Sequence, residues 1–394
     1  MSSTEIYVVS AVRSAIGSFG GSLKDLPLAD LATQVTRAAI ERSGVSAEQI
    51  GHVVMGTVIP TEPRDAYLSR LASMNAGVPK ETPAFNVNRL CGSGLQAIVS
   101  AAQGLLLGES DIALAAGAES MSRGPYLLPQ ARWGARMGDL QGIDYMVGIL
   151  QDPFEHFHMG ITAENVAAAH GITREMQDEV ALTSQRRAAR AIAEGRFDSQ
   201  IVPIEIKTRK GSVQFSVDEN VRGEASAEQL AGMKPAFKKD GSVTAGNASS
   251  INDGAAALVL ATGDAVQRLG LKPLARLVAY AHAGVEPELM GLGPIPATRK
   301  VLEKAGLSVS DLDVIESNEA FASQACAVSR ALGFDPEKVN PNGSGISLGH
   351  PVGATGAIIA TKAIHELQRV QGRYALATMC IGGGQGIAVV FERV

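Results

Sequence analysis

The sequence predicts an α/β fold with a duplicated core, in which two similar mixed-sheet domains carry helices on both faces and one inserted loop domain covers them. Three observations predict it: strand-like segments alternate with amphipathic helical segments, stretches of sequence resemble each other at an offset of 262 residues, and roughly 130 residues separate the last two strands of the first copy. The chain has 394 residues, more than one hydrophobic core usually supports, and 45% of them are apolar.

The composition excludes several classes of protein. Only 19% of the residues are charged, too few for a disordered chain, and the formal net charge of -5 argues against a nucleic-acid partner. Three cysteines cannot form a disulfide framework and fit a reducing compartment. The sequence shows no signal-peptide pattern and no apolar run long enough to span a membrane. We therefore expect a cytoplasmic protein with no membrane partner.

The internal repeat is carried by three pairs of segments that share one offset. The longest pair has Arg, Glu, Gly and Ser at matching places, with apolar residues between them. The pairs are residues 37–46 with 299–308, 113–115 with 375–377, and 91–94 with 353–356. Three matches in one register predict that an α/β unit is duplicated.

In each copy, a strand precedes an amphipathic helix that ends at a glycine. The strands are predicted at 7–12 and 275–280, and the glycines are Gly44 and Gly306. The first helix has apolar residues at the spacing of one buried face, namely Leu28, Leu31, Ala32, Val35 and Ala39.

A second strand, a glycine-rich turn, a second helix and two closing strands complete each copy. The second strands are predicted at 52–55 and 314–316, and a further strand at 84–87 precedes the turn of the first copy. The second helix of the first copy carries Leu95, Ile98, Val99, Ala102 and Leu106. The closing strands are predicted at 112–116 with 256–261, and at 375–379 with 386–391. Strands that alternate with helices indicate a mixed, largely parallel sheet.

The long interval between the closing strands of the first copy predicts the inserted domain. It holds a predicted helix near 163–194 and a polar, hairpin-like sequence around 207–217. An insertion of this length usually covers a functional site. The predicted domains are an N-terminal core of residues 1–120 with 250–270, an inserted loop domain of 121–249, and a C-terminal core of 271–394.

Cys91 follows a strand and immediately precedes a helix, in Asn-Arg-Leu-Cys-Gly-Ser-Gly. A thiol at a helix N-terminus faces free backbone N–H groups and the positive end of the helix dipole, and both favour the thiolate. The neighbouring glycines leave room for a substrate. The residue is therefore either a nucleophile or a small buried side chain at a tight turn.

Three further residues are candidates for the same site. His350 lies in a glycine-rich turn before a helix, where it either accepts a thiol proton or caps the helix. Cys380 comes at a strand end before three glycines and is either reactive or structural. Asn318 follows a strand and is either a site residue or an N-cap. All four candidates are predicted to follow strand ends, where open α/β sheets place their sites.

The remaining candidates have weaker patterns. Cys326 occupies an apolar helical position, which favours core packing. His156 and His158 have a spacing that a metal could use, but no cysteine or carboxylate cluster completes the set, so no metal site is predicted. Met159, Met290 and Phe321 either belong to the core or shape an apolar pocket.

These motifs resemble those of the thiolase family, and in particular the short-chain β-ketothiolases (acetyl-CoA C-acetyltransferases). The resemblance covers essentially the whole chain and implies a thiolase-like fold. The motifs, in addition to the one around Cys91, are Asn-Glu-Ala-Phe at 318–321, Gly-His-Pro-Val-Gly-Ala-Thr-Gly at 349–356, Cys-Ile-Gly-Gly-Gly-Gln-Gly at 380–386, Gly-Asn-Ala-Ser at 246–249 and His-Met-Gly at 158–160.

The resemblance implies a two-step acyl transfer with no cofactor apart from the coenzyme A thioesters that are its substrates. Cys91 would take an acyl group from a thioester, and His350 would deprotonate it. Cys380 would remove a proton from the α-carbon of acetyl-CoA. His350 and a water on Asn318 would hold the enolate oxygen, while the N–H groups of Cys91 and Gly382 would hold the thioester oxygen.

The resemblance also implies the substrate contacts and the assembly. Acetyl-CoA, acyl-CoA and coenzyme A would lie against the insertion, and the chain would form a homotetramer (a dimer of dimers) or a homodimer. The expected contacts of coenzyme A and the acyl group are His158, Met159, Arg222, Phe237, Ser249, Met290 and Phe321. Arg222 would supply a positive charge for a phosphate.

The sequence departs from the common family pattern at Ser250, at Ser317 and within residues 342–347, which include Ser344. These departures lie near the expected site and leave the preferred chain length open. The leading hypothesis is an acetyl-CoA C-acetyltransferase, with a broader-chain 3-ketoacyl-CoA thiolase as the alternative. Two other readings are a decarboxylating ketosynthase and a non-catalytic acyl-CoA binding protein. Cys380 in its glycine motif argues against the first, and the presence of both Cys91 and His350 argues against the second.

Overall fold

Strands and helices alternate along the chain. A computed structural model describes residues 4–209 and 211–394. Within them the strands are β1 (Ile6–Arg13), β2 (Gly17–Ser18), β3 (His52–Gly56), β4 (Ala84–Val87), β5 (Ile112–Ser120), β6 (Tyr126–Leu127), β7 (Ile143–Asp144), β8 (Ile204–Thr208), β9 (Gly211–Phe215), β10 (Asn252–Thr262), β11 (Ala275–Gly284), β12 (Val314–Ser317), β13 (Tyr374–Ile381) and β14 (Gln385–Arg393).

The helices of the described residues range from single turns to five turns. They are α1 (Leu28–Ser43), α2 (Leu68–Asn75), α3 (Ser93–Leu106), α4 (Tyr145–Gly148), α5 (Met159–His170), α6 (Arg174–Ala193), α7 (Ala227–Ala231), α8 (Gly263–Leu269), α9 (Pro294–Ala305), α10 (Ala322–Leu332), α11 (Gly345–Leu348) and α12 (Val352–Arg369). Short 3₁₀ segments lie at Ala47–Gln49, Pro63–Tyr67, Met121–Arg123, Ala131–Trp133, Pro287–Leu292 and Val309–Asp311.

One ten-stranded sheet runs through both copies. Its order is β12-β13-β14-β11-β1-β10-β5-β3-β4, with β2 paired to β10. The strands β3 and β4, β3 and β5, and β12 and β13 pair in parallel, whereas the other neighbours are antiparallel. The predicted α/β fold with a mixed sheet is confirmed, but the prediction that the sheet is largely parallel was wrong, because six of its nine strand pairings are antiparallel. The sheets of the two copies are not separate, however, because β1 and β11 pair between Ile6 and Leu277 and join them.

The duplication extends to the register of the strands. Val53 of β3 lies opposite Leu114 of β5, and Ile315 of β12 lies opposite Leu376 of β13, so both partners are displaced by the predicted 262 residues. The helices α1 and α9 end at Gly44 and Gly306, whose φ angles of 75° and 65° are in the left-handed region that glycine adopts without strain. The sequence repeat therefore corresponds to a repeated structural unit.

The helices α3 and α12 are the equivalent second helices of the two copies, and each contacts strands of both halves of the sheet. They cross with backbone against backbone at Gly94 and Gly356. A Cβ on Gly94 would overlap the amide nitrogen of Ala357, and a Cβ on Gly356 would overlap that of Leu95. Glycine at both positions thus sets the distance between the helices.

The insertion lies between β5 and β10. The sequence predicted one helix near 163–194, and this was wrong in one respect, since two helices, α5 and α6, are separated by a short turn after His170. The predicted polar hairpin is formed by β8 and β9, with Ile204 opposite Phe215. Lys210, which separates the two strands in the sequence, lies outside the described residues, as do residues 1–3. The proposed domain boundaries remain a prediction.

Within residues 4–209 and 211–394, no helix is both long and apolar enough to cross a membrane.

Candidate active site

A cavity of about 550 Å³ opens where the insertion meets the two halves of the core. Eleven of the twelve predicted site residues line it: Cys91, His158, Met159, Arg222, Phe237, Ser249, Met290, Phe321, His350, Cys380 and Gly382. The twelfth, Asn318, is buried beside His350, with 3.5 Å between its Nδ2 and His350 Nε2. The structure therefore brings all twelve residues together from distant parts of the sequence.

Cys91 lies in a tight turn between β4 and α3. Leu90, the residue before it, has a φ of 47°, which is unusual for a side chain of this kind and costs of the order of 1–2 kcal/mol. Ser93 holds the turn, because its hydroxyl accepts the Arg89 N–H at 2.8 Å and donates to the Leu90 carbonyl at 2.6 Å. The side chain of Asn88 accepts the Leu90 N–H at 2.9 Å. These bonds explain why Asn and Ser flank the cysteine.

The thiol of Cys91 is protonated in the free enzyme. Burial raises its pKa to about 11, although the backbone N–H groups of Gly382 and Cys91 point at the sulfur and lower the pKa. The backbone N–H groups therefore favour the thiolate, as the sequence indicated, but desolvation outweighs these two donors. The nucleophile therefore needs a base beside it.

His350 is held in the tautomer that a base requires. Its Nδ1 lies 2.6 Å from Thr355 Oγ1, and that hydroxyl donates its own hydrogen to the Pro351 carbonyl at 2.9 Å. Nδ1 is therefore the donor and carries the proton, which leaves the lone pair on Nε2. Burial lowers the pKa of His350 to about 4, so the imidazole is neutral at pH 7.

The position of His350 in the chain differs from the prediction. It was expected to follow a strand end, whereas it lies between α11 and α12, two residues before the first residue of α12. Its own backbone N–H donates to Asn252 Oδ1 at 2.9 Å, which ties this turn to the start of β10.

Cys380 is buried near the end of β13, opposite Gly386 of β14. Burial raises the pKa of its thiol well above the usual range, and the neighbouring Cys91 adds to the shift. Both cysteines are therefore neutral in the resting site.

Asn318 directly follows β12, as predicted. The alternative that it caps a helix was wrong, because α10 begins at Ala322 and its N-cap residue is Phe321. In the described part of the chain, Asn318 Oδ1 is buried without a hydrogen-bond partner. The amide is thus held for a contact other than helix capping.

The insertion supplies an aromatic wall on the open side of the cavity. The rings of His158 and Phe237 are stacked with 4.6 Å between centroids, and Phe321 meets Phe237 edge-on at 6.2 Å. Gly160 is needed beneath this stack, since a Cβ there would overlap the Phe237 ring. His158 Nδ1 accepts the Gly160 N–H at 3.0 Å and caps α5. His158 therefore has a structural role in addition to lining the cavity.

The apolar candidates fall into two groups. Met159, Met290 and Phe321 are buried in one cluster with Cys380 and also line the cavity, so both interpretations of them hold. Cys326 is buried in a separate cluster with Ala167 and Ile172, as its helical position predicted.

A second cavity of about 600 Å³ continues outward from the first. The two share lining residues at their junction, namely Asn220, Arg222, Ala245, Ala248 and Ser250. The backbone N–H of Arg222 donates to Gln185 Oε1 at 2.7 Å, which fixes this residue at the junction. The combined channel leads from solvent, past a guanidinium, to two thiols.

Comparison with known proteins identifies this arrangement. The family model for the N-terminal domain of thiolase matches residues 6–264, and the model for the C-terminal domain matches residues 271–393. The chain belongs to the thiolase family. The beta-ketothiolase BktB of Cupriavidus necator is 63% identical over 391 residues, 99% of each chain. An acetyl-CoA acetyltransferase of Escherichia coli is 50% identical over 392 residues, 98% of each chain.

Solved thiolase structures agree with the fold. The crystal structure of human mitochondrial 3-ketoacyl-CoA thiolase has a TM-score of 0.97 at 45% identity, with 99% of both chains covered. The human mitochondrial enzyme in complex with CoA has a TM-score of 0.96 at 44% identity, with 99% of this chain and 98% of that chain covered. The thiolase-like fold and the prediction of an acyltransferase of the acetyl-CoA C-acetyltransferase (β-ketothiolase) type are confirmed.

Sequence reasoning missed three residues that organise this thiolase site. Thr355 belongs to the motif at 349–356, and its position in the first turn of the helix after His350 could have indicated a contact with that histidine. Asn252 and Glu119 had no signal of their own, because their roles depend on backbone groups brought together only by folding. An apolar group on the far side of Cys91 was also missed, consisting of Val58, Leu90, Met121, Ile149, Leu150 and Val352.

Proposed function

We propose that this thiolase condenses acetyl-CoA with a short acyl-CoA, and cleaves 3-ketoacyl-CoA by thiolysis in reverse, through an acyl-Cys91 intermediate. The single observation that supports it most is the neutral His350, whose lone pair on Nε2 shares one cavity with two protonated thiols. A base without charge and two acids of high pKa suit a reaction in which protons move between sulfur, nitrogen and carbon.

In the first step His350 Nε2 takes the proton of Cys91 as the sulfur attacks the thioester carbonyl. Full transfer in the resting site is unfavourable, because the pKa values are about 11 for the thiol and about 4 for the imidazole. Proton transfer therefore accompanies the attack. The backbone N–H groups of Cys91 and Gly382 take the developing oxyanion, and the departing coenzyme A sulfur takes the proton of Cys380, which leaves a Cys380 thiolate and a protonated His350.

In the second step the Cys380 sulfur, as thiolate, removes a proton from the α-carbon of acetyl-CoA. His350, still protonated at Nε2, and a water on Asn318 donate hydrogen bonds to the enolate oxygen. The α-carbon attacks the acyl-Cys91 carbonyl, the C–S bond breaks, and the Cys91 sulfur leaves as the 3-ketoacyl-CoA forms. The leaving Cys91 sulfur takes the proton from His350 Nε2, while Cys380 keeps the proton from the α-carbon, which restores two thiols and a neutral imidazole.

The channel accounts for the placement of coenzyme A. Its thioester would reach Cys91 past Met159 and Met290, with its pantetheine chain along His158, Phe237 and Ser249. Arg222 would meet a phosphate at the junction of the two cavities. Arg222→Ala is expected to raise the Kd of coenzyme A about tenfold or more with a smaller effect on kcat, and an unchanged Kd would remove Arg222 from the site.

The decisive experiment is to detect the intermediate. Mixing with acetyl-CoA should add one acetyl group to the peptide containing Cys91, measured by mass spectrometry after acid quench. Cys91→Ala should abolish it, and Cys326→Ala is the matched control, because that cysteine lies in a separate cluster. Acetylation that persists in Cys91→Ala would contradict the proposal.

A broader-chain 3-ketoacyl-CoA thiolase is the second candidate function. It is favoured by the apolar side chains beyond Cys91, which would accommodate a longer acyl chain. Thiolysis rates for 3-ketoacyl-CoA substrates from four carbons upward would decide. A steep fall after four or five carbons supports the short-chain enzyme, whereas a flat profile supports the broader one.

The assembly and its surroundings are part of the proposal. We propose a homotetramer or homodimer in the cytoplasm, acting without a cofactor. The segment around β6 and β7 exposes large apolar side chains, including Tyr126 (66%), Trp133 (86%) and Met137 (96%), and such a patch is typical of a surface that another subunit covers. Light scattering of the wild type and of Trp133→Ser with Met137→Ser tests this, and a monomeric wild type would contradict it.

A further inference from the structure

The carboxylate of Glu119 lies behind Cys91 and is not used in the steps above. Glu119 is fully buried near the end of β5. Its Oε2 accepts the N–H groups of Val58 at 3.0 Å and Gly353 at 2.8 Å, and its Oε1 accepts the N–H of Ile59 at 3.0 Å. A single side chain thus connects three segments that are far apart in the sequence.

Two of these segments carry the reactive side of the cavity. Gly353 is the second residue of α12 and lies three residues after His350, while Val58 lines the cavity with Cys91. The packing between Gly353 and Glu119 is tight, because a Cβ on Gly353 would lie 2.5 Å from Glu119 Oε2 and 2.9 Å from Thr57 Cα. The position of α12, and with it that of His350, is therefore set by this carboxylate.

The hydrogen bonds of Glu119 stabilise its ionised form, whereas its burial opposes ionisation. Both oxygens accept N–H groups, and one of those groups belongs to the N-terminus of an 18-residue helix, whose dipole attracts a negative charge. Burial raises the pKa of Glu119 to about 8, and the negative Asp253 of β10 adds to the rise, while the three N–H groups oppose it. The charge of Glu119 in turn raises the pKa of Cys91.

We propose that Glu119 is a positioning residue for the acyl transfer, holding the start of α12 so that His350 Nε2 meets the Cys91 thiol. The proposal rests on the roles of Cys91 and His350 given above. Glu119 touches neither substrate nor a reacting atom. It acts on the reaction in two ways, through the placement of the helix and through its charge beside the thiol.

Two variants separate placement from charge. Glu119→Asp keeps the charge but is too short to reach all three N–H groups, whereas Glu119→Gln keeps the length, loses the charge and turns an NH₂ group toward N–H donors. Both should slow acetylation of Cys91 about tenfold to hundredfold, with the KM for acetyl-CoA changed less than about threefold. A merely structural role would lower the melting temperature without this split between kcat and KM.

The pH profile of Cys91 alkylation by iodoacetamide provides the second readout. The titratable groups facing the thiol are Glu119 from β5, His350 before α12 and Cys380 from β13. Loss of the Glu119 charge in Glu119→Gln should shift the profile to lower pH, whereas Glu119→Asp should leave it close to that of the wild type.

Asp313→Asn is the matched control. Asp313 also accepts two backbone N–H groups, those of Arg373 and Tyr374, but at the opposite end of β13 from Cys380. It should leave acetylation and the alkylation profile unchanged. If folded Glu119 variants acetylate at the wild-type rate, the positioning role is wrong. If the wild type itself does not acetylate Cys91, the proposed function fails instead.

Discussion

The tautomer of His350 depends on one hydroxyl, and Thr355→Val removes it with almost no change in shape. Thr355 Oγ1 accepts the Nδ1 hydrogen at 2.6 Å and passes its own hydrogen to the Pro351 carbonyl at 2.9 Å. With valine, a tautomer that keeps its hydrogen on Nδ1 leaves a buried donor unpaired. The cost is about 1–3 kcal/mol, since both His350 and residue 355 are buried. The other tautomer places the hydrogen on Nε2, which then cannot accept the thiol proton.

This cost translates directly into the rate of the first step. A penalty of about 1–3 kcal/mol on the competent tautomer corresponds to a roughly 5- to 150-fold slower acetylation of Cys91. The imidazolium that forms during the attack also loses an acceptor for its Nδ1 hydrogen, which acts in the same direction. Binding of acetyl-CoA should change little, because Thr355 does not line the cavity.

The assay is the acetylation half-reaction, followed by rapid quench and mass spectrometry at saturating acetyl-CoA. Thr355→Ser is the matched control, because it retains the hydroxyl and should stay within about threefold of the wild type. A melting curve confirms that the variants are folded. Wild-type acetylation in a folded Thr355→Val would refute the assignment of the tautomer, and an equal loss in Thr355→Ser would show that the methyl group matters instead.

Three further predictions concern the same site. Cys380→Ser should still form the acetyl-enzyme, but its condensation rate should fall at least about a hundredfold, because a hydroxyl gives up its proton far less readily than a thiol. A normal condensation rate would overturn the role of Cys380. Burial lowers the pKa of His350 to about 4, from about 6.5 when exposed, so the acetylation rate should fall only as the pH approaches 4 and the base becomes protonated. The stability that comes from keeping the buried ring neutral should be lost between about pH 6.5 and 4. A fall in the acetylation rate centred at about pH 6.5 would contradict this. Gly160→Ala should displace the Phe237 ring and raise the KM for acetyl-CoA, with kcat affected less, and an unchanged KM would show that the stack does not contact the substrate.

The fold was predictable because its signals are local or periodic. The apolar spacing from Leu28 to Ala39 predicted α1, and the 262-residue offset predicted a register that recurs residue for residue between β3–β5 and β12–β13. The joining of the two sheets through β1 and β11 was not predictable. It depends on three opposed residue pairs whose sequence resembles that of any buried strand.

The composition of the site was predictable from its motifs, whereas its electrostatics were not. A cysteine before a helix suggests a lowered pKa when only the helix is considered. Folding packs Cys91, partly buried, against the core, and the desolvation that results reverses the direction of the shift. Glu119 and Asn252 act on backbone N–H groups far away in the sequence, and no local pattern identifies such partners.

The crossing of α3 and α12 at Gly94 and Gly356 limits how the two copies can diverge. Gly94 and Gly356 are equivalent residues of the two copies, and each lies against the backbone beside the other. Because glycine is the smallest residue, neither position can be made smaller. A methyl group added at one of these two glycines therefore cannot be offset by a smaller residue at the other. The two helices are therefore held at a fixed distance, with Cys91 just before one and His350 just before the other. Different substrates have to be accommodated by the insertion and by the apolar side chains beyond Cys91, rather than by movement of Cys91 and His350.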